Sequence, residues 1–272
     1  VSTQPNPGLY PSGVITLTTD FGHHDPFVGV VKGQILTRFP DAKIVDLTHE
    51  ILVHWPSEAG FWLARSYRYF PRGSVHVAVV DPGVGTQRDI AIVEADGHIF
   101  LAPDNGLLAS VVARAVGARL HRLDHSRLAS LGIGAPSATF HGRDIFAPIA
   151  AEIAAGRVRP ASLGAELAEL VPAWVDEPTA TTAQVTGVVI TVDHFGNLVT
   201  NIDAELIQGF TAPSVRAGSH EFPLRRTYGD VQPGDYLALV NAFGVVEIAR
   251  AEKSAANGLG LGRGAPVIVV AG

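Results

Sequence analysis

Residues 75–88 read VHVAVVDPGVGTQR. The first six are apolar apart from His76, and β-branched side chains of this kind pack well on a pleated surface, so the run predicts a buried strand over residues 75–80. Asp81 is the first charge after it. Pro82 removes a backbone donor, and Gly83 and Gly85 permit a turn or a close backbone approach. The strand is therefore expected to stop in a tight loop that holds one carboxylate at the sheet edge, where open α/β sheets bind ligands. The alternative is an ordinary strand-end turn with a solvated Asp.

The segments before it repeat the form. Residues 14–19, VITLTT, predict a strand that runs into Asp20, and residues 26–39 predict a helix with Asp25 placed as its cap and Pro26 at its first position. A second strand over 43–47 precedes Thr48-His49-Glu50, and a helix is expected over 57–69. Strand, helix, strand, helix, strand is the pattern of a parallel sheet with covering helices. Beyond Arg88, residues 90–94 and 99–102 predict a hairpin across Asp96-Gly97. Helices are expected over 107–116 and 145–155, the second preceded by the polar run at His141 to Asp144.

Residues 171–183, VPAWVDEPTATTA, shift in composition and are expected to be a linker between an N-terminal α/β domain, 14–170, and a second domain, 184–272. The second shows strand signals over 184–192, 198–202, 236–240, 245–249 and 267–270, separated by turn residues, and predicts a small antiparallel β-barrel. Residues 1–13 are expected to be a loose Pro/Gly-rich leader, since they lack the basic and apolar regions of a signal peptide.

The 272 residues are 47% hydrophobic and 17% charged, which fits a well-packed globular protein. A formal charge of −6, with no run of Lys or Arg, leaves no electrostatic footprint for nucleic acid or an anionic membrane, and no apolar run approaches the ~18 residues of a membrane span. A small-molecule ligand in the cytoplasm is the expectation. The absence of cysteine excludes disulfides, thiolate catalysis and cysteine-ligated metal.

Four boundary segments collect the suggestive polar residues of the first domain: Asp20 to Asp25, His49-Glu50, Asp81 to Arg88, and His141 to Asp144. Three follow predicted strands, so one crevice is a natural meeting point. The donors His23, His24, Asp25, His49, Asp81 and His141 suit a metal, yet no zinc-type spacing occurs, and Arg88 and Arg143 would set cations beside it. There is no Gly-x-Ser-x-Gly elbow, and Gly83-Val84-Gly85 is too short for a dinucleotide fingerprint. In the second domain Asp193-His194-Phe195-Gly196-Asn197 suits a hairpin turn and also offers an Asp/Asn pair for amino, amide or purine groups.

Taken together, TDFG with Asp25, the THEI of residues 48–51, VVDPGVGT with Arg88, APDNGLL, TFHGRD and DHFGNLVTNI resemble the S-adenosyl-L-methionine hydrolases, or hydroxide adenosyltransferases, relatives of the fluorinases and chlorinases. The resemblance runs from about Val14 to the C-terminus, with the motifs in the same order. It implies an α/β domain plus a β-barrel, a homotrimer with sites between subunits, and attack by a water-derived oxygen on the 5′ carbon of S-adenosyl-L-methionine, without a cofactor. The implied Asp-Arg-His set is Asp81, Arg88 and His141. Asp81 would orient the water, Arg88 would favour hydroxide character, and His141, with an ordinary pKa of ~6.5, would take the proton. Asp20 is implied for the ribose hydroxyls, Asp25 and Asp193 for the methionine ammonium, Asn197 for the adenine edge, and Phe195, Tyr228 and Arg250 for the surroundings of adenine.

Halide-using relatives carry a Tyr at the position of Asp81 and a Ser or Gly at that of His141. The short segment 88–105 leaves no room for the fluorinase insertion. Both departures point to water. Phe243 stands where those relatives place an arginine on the methionine carboxylate, and His54-Trp55-Pro56 departs from the usual continuation of THEI. Halide adenosyl transfer, a non-catalytic adenosine-binding module and a metal-dependent hydrolase are the competing readings.

Overall fold

The structure is a computed structural model that describes residues 10–175 and 177–272; residues 1–9, most of the expected leader, lie outside it. The described chain divides between Trp174 and Val175 into two compact units.

In the first unit, in chain order, are β1 (Val14–Thr19), α1 (Phe27–Arg38), β2 (Lys43–Thr48), α2 (Pro56–Ser66), β3 (Val75–Val79), β4 (Ile90–Ala95), β5 (His98–Pro103), α3 (Ala109–Arg114), β6 (Arg119–Leu123), α4 (Arg127–Ser130), α5 (Ala147–Ala154) and β7 (Gly164–Glu166). They form one sheet in the order β2-β1-β3-β5-β4-β6-β7. β2, β1, β3 and β5 are parallel, and β4, β6 and β7 extend the sheet by antiparallel pairs.

Both faces of β3 are covered, which is why its sequence is apolar without alternation. Val77 and Val79 pack with Val31 and Ile35 of α1 and Ile149 and Ile153 of α5. Ala78 and Val80 pack on the other side with Ala59 and Leu63 of α2 and Val111 of α3. The parallel pairing puts the ends of β1, β2, β3 and β5 on one edge, so Asp20, His49, Asp81 and Asp104 all emerge there. In the β4–β5 hairpin, Asp96 and Gly97 have φ of 50° and 82°, the left-handed pair that a two-residue turn of this hand needs.

Several boundaries differ from expectation. Asp25 does not cap α1: Pro26 occupies the N-cap position, its carbonyl accepting from Val30 N at 2.9 Å, and no side chain caps the helix. The expected helix over 57–69 ends at Ser66 and tightens into a 3₁₀ turn, Tyr67–Tyr69. The segment expected as helix over 107–116 is helical only over Ala109–Arg114. The helix expected from residue 145 is preceded by a π-turn, Gly142–Phe146.

The second unit contains β8 (Thr179–Ala180), β9 (Gln184–Val192), β10 (Leu198–Asp203), β11 (Ser214–Ala217), β12 (His220–Arg225), β13 (Tyr236–Val240), β14 (Val245–Arg250), α6 (Ala255–Leu259) and β15 (Pro266–Val270). The order β10-β14-β13-β12-β11-β15-β9 closes on itself through the β9–β10 pair, so seven strands make a barrel, antiparallel except at β12–β13. Val185, Val189, Leu198, Val215, Val246, Ile248, Val267 and Val269 belong to one buried cluster. β8, within the stretch 171–183, pairs with β9.

Candidate active site

Asp81 leaves the end of β3 almost fully buried, and its carboxylate meets Arg88 from the same loop. Arg88 Nε donates to both carboxylate oxygens, at 2.9 and 3.0 Å, and Nη2 donates to Oδ2. This edge-on pairing is the geometry that a guanidinium favours with a carboxylate. Arg88 Nη2 also lies 2.9 Å from His141 Nδ1. The expected Asp-Arg-His set is therefore assembled in the first unit, with Arg88 in the middle. Arg88 Nη1 is buried and has no hydrogen-bond partner among the described residues. A desolvated charged donor left unpaired is costly, which marks this atom as a place for an oxygen ligand.

The loop that makes this pairing is locally built. Val84 N donates to Asp81 O, Thr86 N and Oγ1 both donate to Gly83 O, and Arg88 N donates to Thr86 Oγ1. Gly85 has φ +77°, and a Cβ there would lie 2.0 Å from Ala138 O. Its lack of a side chain thus lets the Asp81 loop press against the chain that leads into His141. His141 immediately precedes the π-turn Gly142–Phe146, an irregularity often found at functional sites. Phe140 packs edge-on with Phe21 and Phe27, ring centroids 5.9 and 5.5 Å apart, and so ties His141 to the segment after β1. Burial, and after it the Arg88 cation, holds the His141 pKa below the ordinary imidazole value.

Asp20, at the end of β1, accepts a hydrogen bond from His54 N at 2.9 Å. His54 adopts φ +63°, an uncommon conformation for a side chain of its size, so the segment that departs from the usual sequence presents its backbone to Asp20. Asp25 is exposed and lies 3.8 Å from His24. His49 is buried, with Nδ1 2.8 Å from Thr19 Oγ1 and Nε2 3.1 Å from Asp46 Oδ1. Among the described residues no three His, Asp or Glu side chains cluster as a metal ion requires.

The second unit has a pocket of about 560 Å³ lined by Phe195, Asn197, Tyr228, Arg250 and residues 251–254. Four of the expected binding residues thus share one cleft. Asp193 supports it from the turn: Oδ1 accepts from Phe195 N and Asn197 N at 2.9 and 2.8 Å, and Oδ2 from Asn197 Nδ2 at 3.0 Å. Arg250 Nε donates to Gly234 O at 2.8 Å, and its guanidinium lies over the Tyr236 ring. Phe243, in the β13–β14 turn, is not among the lining residues.

One site residue lies outside the sequence expectations. Glu247 of β14 is buried, and its carboxylate accepts from Tyr228 Oη at 2.7 Å and from Asn241 Nδ2 at 3.0 Å. Burial pushes its pKa up. It orients Tyr228, whose ring lines the pocket. The only sequence signal is a lone acid inside the apolar run VVEIA that precedes Arg250.

A family model described as the SAM hydroxide adenosyltransferase N-terminal domain matches residues 15–164, and one described as its C-terminal domain matches residues 187–268. The chain is 38% identical to the (R)-S-adenosyl-L-methionine hydrolase of Thermus thermophilus, over 92% of this chain and 96% of that protein. Against the hydrolase of the same name from Salinispora tropica it is 37% identical, over 97% of this chain and all of the other. The crystal structure of an uncharacterized conserved protein from Thermotoga maritima superposes with a TM-score of 0.85 at 33% identity, covering 94% of this chain and 99% of that one. With both units matched in order and relatives aligned over nearly the whole length, this chain belongs to the SAM hydroxide adenosyltransferase family.

Proposed function

We propose that this protein hydrolyses S-adenosyl-L-methionine to adenosine and L-methionine without a metal. The observation that carries the reading is the Asp81–Arg88–His141 linkage at the carboxyl edge of the sheet, with a buried guanidinium donor left for an oxygen. A water oxygen bonds to C5′ as the C5′–S bond breaks, and the electron pair leaves on sulfur. Methionine departs as a neutral thioether, so no acid is needed for the leaving group. What the reaction needs is an oriented oxygen and an exit for its proton.

Arg88 holds the oxygen through Nη1, Asp81 keeps the guanidinium in place, and the proton leaves to solvent water. Asp20 takes the ribose hydroxyls, and the cleft lined by Phe195, Asn197, Tyr228 and Arg250 takes adenine. Asp25 and Asp193 face the ammonium. Asp193 accepts three N–H bonds within its turn and keeps acceptor capacity, since a carboxylate has about four lone-pair sites. A halide would have to approach beside the negative charge of Asp81, which favours a neutral water in its place.

The same reading makes the protein a cytoplasmic homotrimer with sites completed at subunit interfaces, as the family resemblance implies; light scattering checks the trimer. The activity is tested by incubating the pure protein with S-adenosyl-L-methionine, with and without EDTA, chloride and fluoride. Adenosine and methionine in equal amounts, unchanged by EDTA, are expected. A halogenated nucleoside, EDTA-sensitive turnover, or tight binding without turnover would each overturn the reading.

A further inference from the structure

The contact between Arg88 and His141 settles more than proximity. A guanidinium has five N–H donors and no acceptor, so the 2.9 Å bond from Arg88 Nη2 requires a lone pair on His141 Nδ1. A neutral imidazole with its lone pair on Nδ1 carries its proton on Nε2. We propose that Arg88 locks His141 in the Nε2–H tautomer, so that His141 serves the reaction as a neutral hydrogen-bond donor and not as its base. The proposal deepens the hydrolase reading and rests on it for the reaction, whereas the tautomer itself does not.

The surroundings point the same way. Protonating His141 would set an Nδ1–H against the Arg88 donor. The groups acting on the ring, besides burial, are Arg88 and His125, which oppose a positive charge, and Asp81 and Asp144, which favour one; the net effect is a lowered pKa. Asp81, whose pull on the ring exceeds that of Asp144, is already engaged by two guanidinium nitrogens. To accept the water's proton at Nε2, the ring would have to move its own proton to Nδ1 and break the Arg88 bond. As a donor it needs no rearrangement. In the balanced step the C5′–O bond forms as the C5′–S bond breaks, the water's proton passes to solvent water, and His141 Nε2–H orients the oxygen as it bonds to C5′.

The two roles separate by substitution. In His141→Gln an amide N–H can replace the distal donor, but an amide cannot take a proton. A base role predicts a loss of about 10²–10⁴-fold in kcat for Gln and Ala alike. The donor role predicts that Gln keeps kcat within about tenfold of the parent, while Ala loses about 10²-fold. His141→Asn, which can still accept from Arg88 but does not reach the Nε2 position, should fall with Ala. Circular dichroism melts confirm that each variant is folded. Independently, ¹⁵N-histidine NMR on the intact protein, with His141 assigned by the variants, should show a neutral ring protonated at Nε2 at pH 7. A Gln variant as slow as Ala, or an Nδ1–H or doubly protonated ring, overturns the proposal. If the parent protein shows no turnover, the hydrolase reading fails, and the NMR result still decides the tautomer.

Discussion

Arg88 serves two partners at once, Asp81 through Nε and Nη2 and His141 through Nη2, and a lysine cannot copy that. An ammonium on a flexible stem offers no parallel pair to Asp81 while also reaching His141 Nδ1. Arg88→Lys is expected to lower kcat by about 10²-fold, the scale of misplacing a positioned reactant. Adenosine affinity, measured by calorimetry, should change little, because the cleft proposed for adenine is lined by residues of the other unit. A near-parental kcat would mean that Arg88 acts only as a cation. Asp81 and Arg88 are legible in the sequence because they flank one short turn. The bond from Arg88 to His141 is not, since 53 positions separate them and only the folded chain shows which nitrogen is engaged. Glu247 is equally hidden, because an acid in a strand ordinarily reads as a solvent-facing position, whereas here it is buried under Tyr228.

The loop of residues 81–88 acts as an element because Gly85 meets the backbone before His141. Gly85→Ala would put a Cβ 2.0 Å from Ala138 O at a φ that an L-residue rarely adopts. Strain of this kind costs about 1–3 kcal/mol. The expected result is a lower urea midpoint together with a fall in kcat larger than that of Gly156→Ala, another left-handed glycine whose nearest neighbour is the Pro11 side chain. Equal effects of the two on kcat would show that Gly85 does not couple the loop to His141. Elements with a strong periodic or all-apolar signal, β1, β3 and the β4–β5 hairpin, are legible from residue type alone. β6, β7 and β12 are not. β6 reads RLHRL with exposed arginines, β7 is three residues long, and β12 carries Pro223 and exposed charges, so tertiary pairing makes them strands. The π-turn after His141 has no local sequence signal, and a plain helix start was the expectation.

Across the molecule, buried histidines set the response to acid. Thr16 Oγ1 lies 2.8 Å from His76 Nδ1, and His76 Nε2 lies 3.1 Å from His98 Nδ1, a chain across β1, β3 and β5. Burial, and then His98, pushes His76 down to about 3; burial likewise lowers His98, His49 and His141. Each has a folded pKa below its unfolded value, so the unfolded chain binds more protons between the two, and stability falls as pH falls below ~6.5. A single fully buried histidine contributes up to about 1.4 kcal/mol per pH unit in that window. Urea titrations at pH 7.5, 6 and 5 should show the decline, and a Thr16→Val/His76→Phe variant should show a shallower one. A parental slope in that variant would contradict the assignment to His76. Attack by water on C5′ of S-adenosyl-L-methionine is read out by turnover in H₂¹⁸O. Mass spectrometry should find one ¹⁸O in adenosine, at the 5′ oxygen, and none in methionine; unlabelled adenosine, or label in methionine, would contradict the account.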